Sequence, residues 1–440
     1  MLSLFLGQAS SVALADGPSG ISMEEYQSRR ETVRKEIGPD ALFVLKGAAK
    51  REGVTDFRQS SSFYYLSGVT DPGVILMLDP GGPDGEILFL PDRNPRGERW
   101  DGLRLYPGEE AEKATGFGKT RPLSEYEGIL ARRAARKKVI YYDYRRVAVK
   151  ESLPAGLDTI LRLQLRGSRP GRDPIRLAHS GSILTGLRQV KSQAEIDLLT
   201  RAITITCDGT REAMRSIKPG MYEYQIQAIL EYVYRREGAQ RTGFSSIVGS
   251  GPNSCVLHYR DNTRQMKEGD LVVVDVGAEF GYYTADVTRT FPVSGKMSPR
   301  QKEIYEIVLR AQKEAFEIVR PGATMGEVHQ KARDVIDAAG YGKFFIHGTS
   351  HWLGLDVHDV GQRRRKLEPG MVLTVEPGIY IPEEEIGIRI EDDLLVTDEG
   401  YLHLSAPLAR ELDEIERIQA EPGLEERAAR GGTTQIRQVR

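Results

Sequence analysis

Residues 268–277 read EGDLVVVDVG and residues 368–378 read EPGMVLTVEPG. In each, a glycine is followed six residues later by a carboxylate, Gly269 to Asp275 and Gly370 to Glu376. A second acid follows each on another strand-like run, Asp286 and Glu391. Six-residue coincidences are common between unrelated stretches. This pair stands apart because both copies put an acid where an apolar strand should carry Val or Ile.

A buried carboxylate is expensive unless it is paired, protonated or bound to metal. If 271–291 folds as one hairpin with Asp275 opposite Thr284, Asp286 falls diagonally across on the same face. Two carboxylates so close repel, and a bound cation resolves the conflict. A single Asp in such a run is more often a strand-end acid facing solvent, or an Asx-turn residue. Four acids in two matched pairs, together with a histidine cluster, reverse that balance.

The cluster is HGTSHWLGLDVH, residues 347–358, which holds His347, His351 and His358 in a chain with seven histidines. His347 and His351 have the spacing of zinc-protease helices, but Gly348 stands where HExxH carries its glutamate. Gly348, Thr349, Ser350 and Gly354 also make a poor helix interior, which argues against a self-contained zinc helix. One imidazole added to four carboxylates makes an oxygen-rich ligand set instead. Such a set suits Mn, Fe, Co or Zn, and its size suits two ions rather than one.

Around this core the chain reads as a two-domain globular protein of 440 residues, with 40% apolar and 28% charged residues. Its 61 basic and 63 acidic residues nearly balance, so neither a nucleic-acid footprint nor a polybasic membrane patch is indicated. Cys207 and Cys255 give no disulfide framework and no CxxC knuckle. No apolar run is long enough to span a membrane. The opening MLSLFLGQASSVALADG ends a short apolar segment in Ala13-Leu14-Ala15 without a basic n-region. Two readings stand. Residues 1–22 are a signal remnant of an exported or periplasmic protein, or a non-native start ahead of Met23 in a cytoplasmic one.

Residues 23–37 predict an exposed amphipathic helix. The runs ALFVLKG, GVILMLDP, ILFLPDR and KVIYYDY then predict strands, with charged, helical stretches between them, and so an α/β first domain. Residues 166–176, rich in Arg, Gly and Pro, read as a boundary loop. A long helix follows, with Ser192 as cap and Glu195 in capping-box position. A second helix comes at 222–238, strands near 271–276 and 284–291, and a helix from Pro299. Residues 420–440 read as a frayed polar tail.

The strings VVVDVG, YTADVTRTF, HGTSHWLGLDVHD, TVEPGIY and GIRIEDD carry Asp275, Asp286, His351, Glu376 and Glu391 in this order. They resemble the dinuclear metallopeptidases of the methionine aminopeptidase, prolidase and aminopeptidase P superfamily, over roughly residues 184 to 410. DFRQSSSFYYLSGVTDPGVILML, residues 56–78, is similar to the amino-terminal domain of bacterial Xaa-Pro aminopeptidases, a domain that methionine aminopeptidases lack.

The resemblance implies an α/β (α+β) fold. Residues 23–178 would form a creatinase-like amino-terminal domain and 184–415 a pseudo-symmetric pita-bread catalytic domain, with 420–440 as the tail. It implies removal of the first residue from peptides with proline in second position, by a water activated between two divalent ions. Manganese is the family preference, with Co, Zn or Fe as substitutes. Prolidase action on Xaa-Pro dipeptides is the near alternative, and a non-catalytic pseudo-peptidase is the alternative of another class. By resemblance, Asp286, His351 and Glu391 hold one metal, and Glu391 also bridges. Asp275 chelates the other with both oxygens, sharing it with Asp286, Glu376 or Glu391. Glu376 moves the proton, while His258 and His358 serve catalysis and substrate. His347 and Arg389 shape or support the pocket. Trp100 is the aromatic that a neighbouring subunit lends, in a homodimer or homotetramer. His179, His329 and His403 match nothing and read as surface residues.

Overall fold

The computed structural model describes residues 20–50, 57–143, 160, 162 and 174–431. It divides into two compact units, Met1–Thr185 and Gly186–Arg440. Residues 1–19 and most of the 166–176 loop lie outside the described residues.

In the first unit six strands, β1 Ala41–Lys46, β2 Ile75–Asp79, β3 Gly85–Leu90, β4 Thr120–Pro122, β5 Val139–Tyr142 and β6 Arg176–His179, form one mixed sheet. Its order is β4-β3-β2-β1-β5-β6, with β1 antiparallel to β2 and parallel to β5. Leu42, Val44, Met77 and Phe89 of the sheet pack in one cluster with Tyr126 and Leu130 of the helix Tyr126–Ala134. The helix Met23–Ile37 starts on Ser22, whose Oγ accepts from Glu25 N at 3.2 Å. It is not the exposed helix that its charge suggests. Tyr26, Arg29, Arg30 and Val33 form a buried stripe at helical spacing. The Arg30 head is satisfied by Glu86 at 3.0 Å and by the carbonyls of Leu66 and Gly116. Its stem supplies apolar packing while its charge stays paired.

The second unit contains β7 Arg241–Thr242, β8 Ile247–Ser250, β9 Leu271–Val276, β10 Ala278–Phe280, β11 Tyr283–Thr284 and β12 Val287–Pro292. Its later strands are β13 Val372–Val375, β14 Gly378–Ile381, β15 Ile386–Arg389, β16 Asp392–Thr397 and β17 Gly400–His403. Helices Gln193–Ser216 and Glu223–Arg236 pack on the sheet β12-β9-β8, and Pro299–Phe316 packs on β13 of the sheet β13-β16-β17. Helix starts follow the sequence signals. Ser192 with Glu195, Ser298 with Gln301 and Thr324 with Glu327 all make capping boxes.

The repeat becomes two copies of one device. Gly269 and Gly370 turn the chain with φ of 85° and 89°, and β9 and β13 begin two residues later. Each strand runs out to its acid, Asp275 within β9 and Glu376 just past β13. A short hairpin follows, β10–β11 in one copy and β14–β15 in the other, and the second acid opens the return strand.

That hairpin corrects the register expected from sequence. Asp275 stands opposite Thr288 on β12 and Ile247 on β8, while Thr284 pairs with Glu279. The segment 271–291 is one hairpin in a single register, tightest at Gly277, where a Cβ would lie 1.8 Å from the Ala285 carbonyl oxygen. Asp286, two residues before Thr288, still falls diagonally across from Asp275 on the same face, as expected.

Within the segment read as a polar tail, Leu424–Gly431 is helical. Leu424 N donates to Ser216 Oγ at 3.1 Å, and Arg427 pairs with Glu212 at 2.6 Å. Residues 432–440 lie outside the described residues. Among the described residues, no helix is long and apolar enough to cross a membrane.

Candidate metal centre

Asp286, His351 and Glu391 each present one ligand atom, and the three atoms lie within 4.8 Å of one another. Nε2 of His351 is 3.3 Å from Asp286 Oδ2, 3.6 Å from Glu376 Oε1 and 4.0 Å from Glu391 Oε1. Its other nitrogen, Nδ1, is 3.1 Å from the Trp352 carbonyl, which can only accept. Nδ1 therefore carries the proton, and the Nε2 lone pair faces the acids.

Asp275 is tied in from the other side. Its Oδ2 accepts from Arg389 Nη2 at 2.6 Å, while Oδ1 meets no donor. Asp286 Oδ1 is likewise buried without a donor. Glu391 Oε2 accepts from the Thr288 hydroxyl at 2.6 Å. Arg389 also donates to Tyr380 OH at 2.8 Å, which lies 2.9 Å from His347 Nε2. His347 Nδ1 donates to the Gly348 carbonyl at 2.8 Å, so Nε2 is the acceptor and Tyr380 the donor. One hydrogen-bonded chain thus runs from His347 through Tyr380 and Arg389 to Asp275.

Burial and then their like-charged neighbours push the Asp286 and Glu391 carboxyls well above the usual range. Burial pushes Glu376 up to about 7, against the pull of His351 and Arg389. Such a cluster wants positive charge or protons. A raised acid stabilises the fold below its unfolded value and loses that contribution as pH rises through its folded value. His347 and His358, both pushed down to about 4, act in the opposite sense, but only below about 6.5, the value of an unperturbed histidine. Metal-stripped protein should therefore melt higher at pH 7 than at pH 8.5. Added divalent metal should remove the difference. A stripped protein equally or more stable at pH 8.5 would refute this account of the cluster.

His358 tilts against His351 with ring centroids 4.2 Å apart. Although the residue is exposed, partial burial of its ring, with His351 and His258 nearby, keeps it neutral. His258 sits on the exposed loop after Cys255. Trp100 is on the helix Pro95–Asp101 of the first unit and is 89% exposed. The three remaining histidines are not the surface residues expected. All are half-buried, and each has a partner: Asp143 for His179, Thr349 for His329 and Asp392 for His403. Sequence reasoning missed Tyr380 and Thr288, though both lie in quoted strings, TVEPGIY and YTADVTRTF.

Residues 197–398 match the model of metallopeptidase family M24, and residues 26–141 match that of the aminopeptidase P N-terminal domain. The chain is 35% identical to a Xaa-Pro aminopeptidase of Escherichia coli over 437 residues, 91% of this chain and 98% of that protein. A Xaa-Pro dipeptidase of Pyrococcus furiosus is 39% identical over 227 residues, 51% of this chain and 65% of that protein. The solved structure of zinc-substituted E. coli aminopeptidase P with product superposes with a TM-score of 0.84 at 34% identity, covering 91% of this chain and 98% of that one.

Proposed function

The chain belongs to metallopeptidase family M24, among its Xaa-Pro aminopeptidases, and on that premise we propose that it removes the first residue from peptides with proline in second position, using two divalent ions. The observation that carries this reading is coverage. Likeness to the E. coli aminopeptidase extends over 91% of this chain, whereas the dipeptidase matches 51% of it.

The donor set fits the ions. Two buried carboxylate oxygens lack donors, a histidine lone pair faces them, and the acids are strained by mutual repulsion. Asp286, His351 and Glu391 would hold one ion, and Asp275 would hold a second with help from Asp286, Glu376 or Glu391. Asp275 offers Oδ1 freely, while Oδ2 is shared with Arg389. Carboxylate-rich sites with a single imidazole suit manganese first, with cobalt, zinc and iron as substitutes. Bound there, the ions supply Lewis-acid chemistry, activating water and polarising the scissile carbonyl.

The protein's own groups move the protons. Glu376 takes a proton from the attacking water and returns it to the departing proline nitrogen as the C–N bond breaks. Neutral His358 donates an N–H to the carbonyl oxygen as charge develops there, and His258 assists it with substrate. Both nitrogens of His347 are engaged, so it offers the proline a ring face rather than a proton. Exposed Trp100 is the aromatic lent to a neighbouring subunit's site in a homodimer or homotetramer.

Peptide length tests the reading. Manganese-loaded protein should cleave Xaa-Pro-Yaa tripeptides well and Xaa-Pro dipeptides poorly. Turnover of the dipeptide alone would reassign it as a prolidase.

A further inference from the structure

The stretch LRQVKS, residues 187–192, takes no part in the chemistry above, yet three of its side chains are buried. Arg188 Nη2 donates to Asp356 Oδ2 at 2.8 Å and also to Asp359 Oδ1. Lys191 Nζ lies 3.3 Å from Asp359 Oδ2. Gln189 Oε1, between them, accepts from Arg365 Nη1 at 3.3 Å. All three grip residues 356–365, a segment with no helix or strand of its own.

That segment carries His358, set between the two gripped aspartates. Further hydrogen bonds add to this grip. Asp359 N donates to the Trp352 carbonyl at 2.9 Å, and the Gly354 carbonyl accepts from Thr284 N at 2.9 Å. A buried ion cluster is weak evidence for stability, because apolar packing commonly does as well. What charged, forked hydrogen bonds add is fixed geometry. A bend without a ladder holds its side chains only as well as its anchors hold it.

We propose that Arg188 and Lys191 are positioning residues for peptide hydrolysis: through Asp356 and Asp359 they hold the bend that aims His358 at the substrate carbonyl. This rests on the role given above to His358. Asp359→Asn keeps the shape of the anchor and removes its charge. In manganese-loaded protein it should lower kcat for an Xaa-Pro-Yaa tripeptide about 10–100-fold, since small misplacements near reacting atoms cost that much. KM and bound manganese should not change. Arg188→Met should do the same, and Arg188→Lys should recover part of the loss.

The deciding experiment is a double-mutant cycle with His358→Ala. If the cluster acts through His358, Asp359→Asn causes no further loss of kcat in the His358→Ala background. Losses that multiply would overturn the proposal, as would full activity of Asp359→Asn alone. Full activity of His358→Ala would overturn the role of His358 itself, a separate and recognisable failure. Should Arg188→Met fail to fold, the asparagine variant still completes the cycle.

Discussion

Glu391→Ala should lose stoichiometric metal and peptide hydrolysis together, with activity down by at least about 10³-fold, because the chemistry depends on water activation at the missing ligand. Glu391 is buried, touches the group of Asp286 and His351, and is held by Thr288. A second signature separates ligand loss from misfolding. Without metal, burial and the repulsion of Asp286 and Glu376 lift the Glu391 carboxyl, so its removal relieves the stripped protein. Metal-free Glu391→Ala should therefore melt no lower than the metal-free parent. Full turnover in the variant, measured beside its metal content by elemental analysis, would sink the assignment.

The largest effect on stability is expected at Arg289, behind the metal centre. Its side chain is 0% exposed and donates to Asp392 Oδ1 at 2.7 Å, to the Glu391 carbonyl at 2.7 Å and to the Thr288 carbonyl at 2.9 Å. It also reaches the carbonyls of Ala409 and Leu408. Burial alone would push Asp392 up, but the guanidinium holds it well below the usual carboxylate range. Arg289→Met leaves a buried charge and several carbonyls without their donor, and should cost about 3–5 kcal/mol. Urea unfolding with metal present reads the loss. Adding Asp392→Leu should recover part of it, since the uncompensated charge is then gone. A loss under about 1 kcal/mol would show that Ser405, Gln312 and His403 suffice for Asp392.

Residues that broke a local rule were the legible ones. Asp275 and Glu376 announced themselves as acids inside apolar runs, and Ser192 with Glu195 marked a helix start. Partners far apart in the chain were not legible. Arg188 meets Asp359 across 171 positions, and nothing local to either residue signals the other. The register between β9 and β12 failed for another reason. It is set by the two-residue turn at Gly281 and Tyr282, with φ of 56° and 73°, and a tyrosine does not announce a left-handed turn position. Arg30 and His403 were misplaced because residue type alone puts them at the surface, whereas Glu86 and Asp392 draw them inward. Tyr380 and Thr288 are ordinary strand residues until a cation and a carboxylate stand beside them.

The chain from His347 through Tyr380 and Arg389 to Asp275 has a thermodynamic consequence. On the function proposed above, it would join the wall of the proline pocket to a carboxylate of the metal centre through one shared guanidinium. Two ligands that bias a common element do so reciprocally. Whatever factor a docked proline adds to the affinity for metal, the metal returns to proline by the same factor. Loading the ions and recognising the imino acid are then two readings of one equilibrium.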